Sequence, residues 1–345
     1  EPHGKHLVNR VGNEEDLKEA DHLRKVCIGA ADLMDCEQIA TGTFSPITGF
    51  MDQETFFSVL ESNRLLDGTI WTMPIILQLT TQVSVSVEKG DRIALTDSEG
   101  TAYAILNVTE KYQINSESMA QKWFGTVSKT HPGVARFMEN GENCIAGDIT
   151  MVRQLPSMYR HYQLTPAKTR FLFNHKRWNR VVGFHTRNPA HRVHEYIQLS
   201  AMENVHADGI FINPVIGTKK AGDFQDDLIL RSYEILIDKG VYPEGKVVLG
   251  SFSTYSRYCG PRETVFTMLC RKNMGCSHFI IGRDHAGVGS FYDPESNYRF
   301  LENLGDLGIK PIFFKEIGYS PIKDEFVEAN NSKEIIKISG SGVRE

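Results

Sequence analysis

Two rhythms of apolar and polar positions divide the chain. Over residues 68–110, short β-rich runs follow one another closely at 70–79 (IWTMPIILQL), 83–87 (VSVSV), 92–95 and 103–108. The clusters Glu88-Lys89-Gly90-Asp91 and Asp97-Ser98-Glu99-Gly100 between them are turn-forming, so the strands are joined tightly. This predicts a small β-barrel or sandwich, capped by irregular segments near 41–51. From about residue 165 the pattern changes. Apolar runs at 180–184, 209–215, 246–250, 278–281 and 310–314 alternate with amphipathic stretches at 192–204, 227–239, 261–273 and 296–304. Strand and helix in alternation predict a parallel, doubly wound sheet, whose ligands sit beyond the carboxyl ends of its strands. Residues 320–345 show no strand rhythm and end on Gly342-Val343-Arg344-Glu345 as if in mid-element. The expected division is therefore 1–164, 165–319 and the start of a small subdomain at 320–345.

The first strand-to-helix junction carries the richest chemistry: Phe184-His185-Thr186-Arg187-Asn188-Pro189-Ala190-His191-Arg192-Val193-His194. Asn188 suits an N-cap and Pro189 a first helical position, so a helix is expected to start here, with His191 and His194 on one face. A helix N-terminus favours an anion through its unpaired N–H groups and dipole. Arg187 and the two imidazoles would then surround a phosphate and stabilise a leaving pyrophosphate without a covalent step. A plainer alternative leaves the histidines on the surface of a capped helix. Another is a zinc site from His185, His191 and His194, although no nearby Cys, Asp or Glu completes a known zinc pattern.

The fourth junction, Gly282-Arg283-Asp284-His285-Ala286-Gly287-Val288-Gly289, follows a buried run. Three glycines in eight residues let backbone amides such as that of Ala286 approach a ligand; the alternative is a glycine-rich surface turn with an Arg–Asp pair. The second and third junctions, 217–223 and 253–263, add Lys219, Lys220, Arg257 and Arg262. Four basic loops at one sheet edge describe a polyanion site. The string Gly240-Val241-Tyr242-Pro243-Glu244-Gly245-Lys246 fits a phosphate-loop pattern, but Val247 follows the lysine and the string precedes a strand, so it is a turn.

Composition narrows the class. The 345 residues are 41% hydrophobic and 23% charged, enough for a sizeable core. Lys and Arg number 38 against 43 Asp and Glu, a net charge of −5, which argues against nucleic acid and confines any basic patch to a small anionic ligand. No apolar run approaches a membrane span, nothing at the start patterns as a signal peptide, and six scattered cysteines include no CxxC pair. A cytoplasmic chain with reduced thiols and no membrane partner is expected.

The segment Phe184–His194 resembles the QTRNPxHxxH signature of ATP sulfurylases, and Gly282–Gly289 resembles their GRDHAGxG motif. Weaker likenesses lie at 2–8, 42–51 (the GxFSPLxGFM segment), 258–276 and 338–344 (ISGSGVR for ISGTxxR), so the resemblance spans nearly the whole chain. It implies an α/β protein with an N-terminal β-barrel-like, PUA-like domain and a Rossmann-like nucleotidyltransferase domain. The implied reaction is ATP plus sulfate giving adenosine 5′-phosphosulfate plus pyrophosphate, with Mg²⁺ accompanying ATP and a homo-oligomeric assembly. By the same resemblance His185, Arg187 and the backbone of Ala286 hold sulfate, His185, Thr186 and Arg187 also belong to the ATP site, Asn188 contacts the α-phosphate, and His191 and His194 contact the β- and γ-phosphates. Gly282, Arg283, Asp284 and His285 line the nucleotide, with Ile312 under the adenine. His185 stands where the family usually has Gln, which changes the sulfate contact there. Residues 293–345 contain no Cys, so no zinc is expected there, and no kinase domain is expected within the chain.

Overall fold

The first half builds a six-stranded sheet from β1 (Arg24–Cys27), β2 (Gly49–Phe50), β3 (Leu77–Leu79), β4 (Arg92–Thr96), β5 (Ala102–Gln113) and β6 (Asn143–Met151), ordered β1-β4-β5-β6-β2 with β3 also on β6. β1 pairs parallel with β4, and the other pairings are antiparallel. Interspersed are α1 (Glu14–His22), α2 (Ala30–Ala40), α3 (Gln53–Ser62), α4 (Thr81–Ser84), α5 (Ser116–Phe124) and α6 (Pro132–Glu139). The computed structural model describes residues 1–217, 223–282, 285–328 and 335–337; Lys219, Lys220, Arg283, Asp284 and the 338–344 segment lie outside them. The strand expected at 83–87 is not formed. The chain coils instead through α4, burying Ser84 and leaving Val85 exposed, so the alternating valines share no buried face.

The second half begins where the rhythm changes. Thr165 accepts the Lys168 N–H and Pro166 takes the first helical position of α7 (Pro166–His175). There follow β7 (Val181–Phe184), α8 (Arg192–Asn204), β8 (Gly209–Ile212), β9 (Val215–Ile216), α9 (Asp226–Asp238), β10 (Val247–Leu249), β11 (Phe252–Ser253), α10 (Pro261–Asn273), β12 (His278–Ile281), α11 (Ser296–Glu302) and β13 (Lys310–Phe313). The main sheet runs β10-β8-β7-β12-β13, parallel throughout, while β9 and β11 form a separate parallel pair. Chain order reverses between β7 and β12, so a crevice opens beyond the carboxyl ends of these two strands. The two richest junctions of the sequence follow these strands.

Helix α10 departs from the expected amphipathic pattern, being buried on almost every face. It lies between the parallel sheet and the first half, where Phe266 meets Phe44 and Trp71 with ring centres 4.9 and 5.7 Å apart. Its polar residues are buried with it. Asn273, for example, donates through Nδ2 to the carbonyls of Thr43 and Ser45. The tail also differs from expectation: β14 (Ile317–Ser320), β15 (Glu325–Glu328) and β16 (Ile336–Lys337) form an antiparallel sheet. Its strands are short, and β15 is flanked by glutamates, so none registers as an apolar run. Five of the six cysteines are buried and Cys27 is exposed. Among the described residues no helix is long and apolar enough to cross a membrane.

Candidate active site

Strand β7 is a continuous apolar run buried on both faces, and it delivers His185, Thr186, Arg187 and Asn188 to the crevice. Thr186 closes the turn that follows: its carbonyl accepts from the Val215 N–H at 2.8 Å and its Oγ1 accepts from the Asn188 N–H at 3.1 Å. The Ala190 N–H then donates to Ser232 Oγ on α9 at 2.8 Å. These tethers move the helix start. α8 begins at Arg192 with His191, not Asn188, at the N-cap in an extended conformation (φ −145°, ψ 168°). Residues 188–191 are spent crossing to α9 before the helix can turn.

His191 and His194 do come together. Their rings stack with centres 3.7 Å apart, and His194 Nδ1 lies 3.2 Å from the Tyr233 hydroxyl. Burial pushes His191 down to about 4, while burial and then the neighbouring His191 hold His194 well below the usual imidazole range. Both rings are therefore neutral at pH 7. The Nδ1 atom of His191 is buried without a hydrogen-bond partner.

The facing wall comes from the loop after β12. The His285 carbonyl accepts from Thr264 Oγ1 at 3.2 Å and from Asn297 Nδ2 at 3.3 Å, and its Nε2 lies 3.1 Å from Thr267 Oγ1. Burial, then Arg271 and Arg187, push His285 down to about 3. Ala286 adopts φ +58°, a left-handed conformation uncommon outside glycine, and its carbonyl accepts from the Gly260 N–H at 3.1 Å. Arg187 spans the two walls, with its guanidinium 5.2 Å from the centre of the Tyr258 ring and Nη2 3.5 Å from the Gly287 carbonyl.

These walls enclose a cavity of about 500 Å³, which His185, Thr186, Arg187, Asn188, His194, Gly282, His285 and Ala286 all line. Ile312 does not. It sits on β13 beyond β12, in register with Ile280, and Ile280 and Ile197 supply apolar wall instead. Among the described residues no group of three or more His, Cys, Asp or Glu side chains is placed to hold a metal ion.

Several lining residues gave no sequence signal of their own. Tyr292 lies in the cavity wall with its hydroxyl 2.9 Å from the Tyr258 carbonyl, 3.2 Å from the Phe124 carbonyl and 3.2 Å from His131 Nε2. It thereby ties the glycine-rich loop to the first half. Glu263, buried in the first turn of α10, accepts from the backbone N–H groups of Arg257 and Cys259 and holds the third junction in place. The sequence had marked this region by Arg257, Arg262 and the amphipathic stretch that opens at Pro261.

Comparison with known proteins places both halves. Residues 160–345 match the ATP-sulfurylase family model, and residues 1–154 match that of a PUA-like domain. The chain is 39% identical over 355 residues to a sulfate adenylyltransferase of Synechococcus sp., an alignment covering 100% of this chain and 90% of the relative. It is 41% identical over 319 residues to that of Symbiobacterium thermophilum, covering 91% of this chain and 80% of the relative. The sulfate adenylyltransferase of Pyrococcus abyssi is 40% identical over 351 residues, with 99% and 91% covered. Among solved structures, a hexameric APS kinase from Thiobacillus denitrificans superposes with a TM-score of 0.77 at 22% identity, covering 100% of this chain and 63% of that one. At that identity the likeness speaks for the fold alone.

Proposed function

The chain belongs to the ATP-sulfurylase family, and on that premise we propose that it acts as a sulfate adenylyltransferase, converting ATP and sulfate to adenosine 5′-phosphosulfate and pyrophosphate. The observation that carries this reading is the convergence of Arg187, His194, His285 and Ala286, from two junctions far apart in sequence, on one cavity at the switch point of the parallel sheet. Sulfate is a poor nucleophile that needs no deprotonation, so the site needs no general base. It must bring two anions together, align a sulfate oxygen with the α-phosphorus opposite the departing pyrophosphate, and receive the charge that leaves.

In this assignment His185, Arg187 and the backbone of Ala286 hold sulfate. Asn188, with Thr186 fixing its loop, contacts the α-phosphate. His191 and His194 face the β- and γ-phosphates as neutral N–H donors, and Gly282, Arg283, Asp284 and His285 line the nucleotide. No covalent intermediate is needed, and the same residues serve the reverse direction, which makes ATP. ATP would enter accompanied by Mg²⁺, which would offset charge on the triphosphate. We expect a homo-oligomer in the cytoplasm.

The test is ATP formation from adenosine 5′-phosphosulfate and pyrophosphate with Mg²⁺, comparing the wild type with Arg187→Ala. We expect turnover in the wild type and a loss in the variant on the order of 10²–10³-fold, the effect of deleting a single oxyanion donor. A wild-type chain that binds ATP but makes none would instead be a nucleotide-binding regulatory relative, and one that adenylates another acceptor would correct the substrate.

A further inference from the structure

Behind the sulfate side of the cavity lies a cation that the mechanism above does not use. Arg271, on α10, is 0% exposed, and among the described residues no carboxylate pairs with it. Its Nη2 donates to His185 Nδ1 at 2.8 Å and to the Asn213 carbonyl at 2.9 Å; its Nε and Nη1 have no partner. The Phe252 ring lies 4.4 Å from the guanidinium carbon. Gly183 on β7 makes room for this side chain, because a Cβ there would stand 3.1 Å from Arg271 Cγ. Burying a guanidinium without a counter-anion is costly, and a side chain placed only to fill space would not need the charge.

A guanidinium has only N–H donors and does not lose its proton in a protein. The 2.8 Å bond therefore requires a lone pair on His185 Nδ1, which leaves the ring's proton on Nε2. Since Nδ1 is turned to Arg271, Nε2 is the nitrogen left for a ligand in the cavity that His185 lines. We propose that Arg271 is a positioning residue that holds His185 in the Nε2–H form, so that the cavity presents a fixed N–H donor to an oxyanion with no proton of its own. The proposal rests on the assignment of sulfate to this part of the cavity. It also accounts for histidine at a position where an amide would serve: a Gln side chain set against Arg271 would likewise accept with its oxygen and donate with its nitrogen. The charged and titratable groups facing His185 are Arg271 from α10, His285 from the loop after β12 (ring centres 5.3 Å apart) and Arg187 from its own loop. None stabilises an imidazolium, and with burial they keep His185 neutral.

The decisive measurement is ¹⁵N NMR of the histidine side chains in the full chain, with His185 assigned by the signal lost in His185→Gln. We expect a pyridine-type Nδ1 and a pyrrole-type Nε2, unchanged from pH 8 to pH 6. Arg271→Met should mix the tautomers and raise the KM for sulfate on the order of tenfold, leaving the KM for ATP within about twofold; Arg271→Lys should fall between. A proton on Nδ1, or titration near pH 6.5, in the wild type would overturn the proposal, and this reading needs no variant of Arg271 to fold. Equal changes in both KM values would reduce Arg271 to a structural part. Absence of wild-type turnover beside the expected tautomer would instead remove the sulfate assignment.

Discussion

The imidazoles of His185, His194 and His285 line the cavity, that of His191 stacks on His194, and all four residues are half-buried; each is held below its ordinary range, chiefly by burial. In the unfolded chain each takes a proton near pH 6.5; in the folded chain His191 does so only near 4 and His285 near 3. Between those limits the unfolded state binds more protons, so stability is complete above about pH 6.5 and is lost as the pH falls toward 4. Asp32, raised to about 6 chiefly by burial, and Glu37 and Glu263, raised by the same cause, act in the opposite sense over part of that window. The histidines outnumber them, so the melting temperature should fall between pH 6.5 and pH 4.5. Thermal unfolding followed by circular dichroism in steps of half a pH unit checks this, and a flat profile would mean that these rings are already protonated in the folded state.

The elbow before α10 shows what an element requires of its first residue. Gly260 sits at the N-cap with φ +54° and ψ −127°, and a Cβ there would lie 2.6 Å from the Tyr292 ring. Gly260→Ala must therefore strain the backbone and push Tyr292 from the carbonyl of Tyr258. We expect a stability loss of about 1–3 kcal/mol in urea unfolding and a fall in kcat/KM, because the elbow also anchors Ala286. Restored turnover in a Gly260→Ala, Tyr292→Ala double variant would locate the cost in that contact. At α8 the sequence offered a good cap at Asn188 and the structure starts the helix at Arg192, since the Thr186 and Ser232 contacts claim the intervening residues. Local capping chemistry says that a helix begins nearby; the register belongs to its neighbours.

Across the whole molecule, the two halves share a hydrophobic cluster and, among the described residues, a buried ion pair. Arg257 Nη2, from the third junction, meets Asp35 Oδ1 on α2 at 2.5 Å, both side chains about 5% exposed or less. The Tyr255 ring lies between the guanidinium groups of Arg136 and Arg257 at 3.8 and 4.1 Å, and its hydroxyl donates to Asp35 Oδ2 at 3.2 Å. Removing one partner of such a pair strands a buried charge, so Asp35→Ala should lower unfolding free energy by about 3–5 kcal/mol. It should also reduce turnover, because Arg257 and Tyr258 shape the elbow beside the cavity. Denaturant melts and the reverse assay on one preparation read both effects; unchanged stability would mean that the pair forms only a surface contact.

The alternation of apolar runs and helices after residue 165, the helical stretch opening at Pro261 and the two junction motifs were legible in the sequence, because periodicity and turn chemistry act over a few residues. The short charged strands of the tail and the helical turn at Thr81–Ser84 were not, since neither displays an apolar face of its own. Nor could any local pattern choose Ile280 over Ile312 for the cavity, set Tyr292 against Tyr258 and Phe124, or place Arg271 behind His185 from 86 positions away. The order of strands in the sheet and the packing of α10 between the two halves decide those contacts. The sequence thus marked the two junctions whose residues line the cavity. Only the closed chain determined which atom each one turns toward its neighbours and which toward the cavity, because that depends on groups brought together by burial rather than by adjacency.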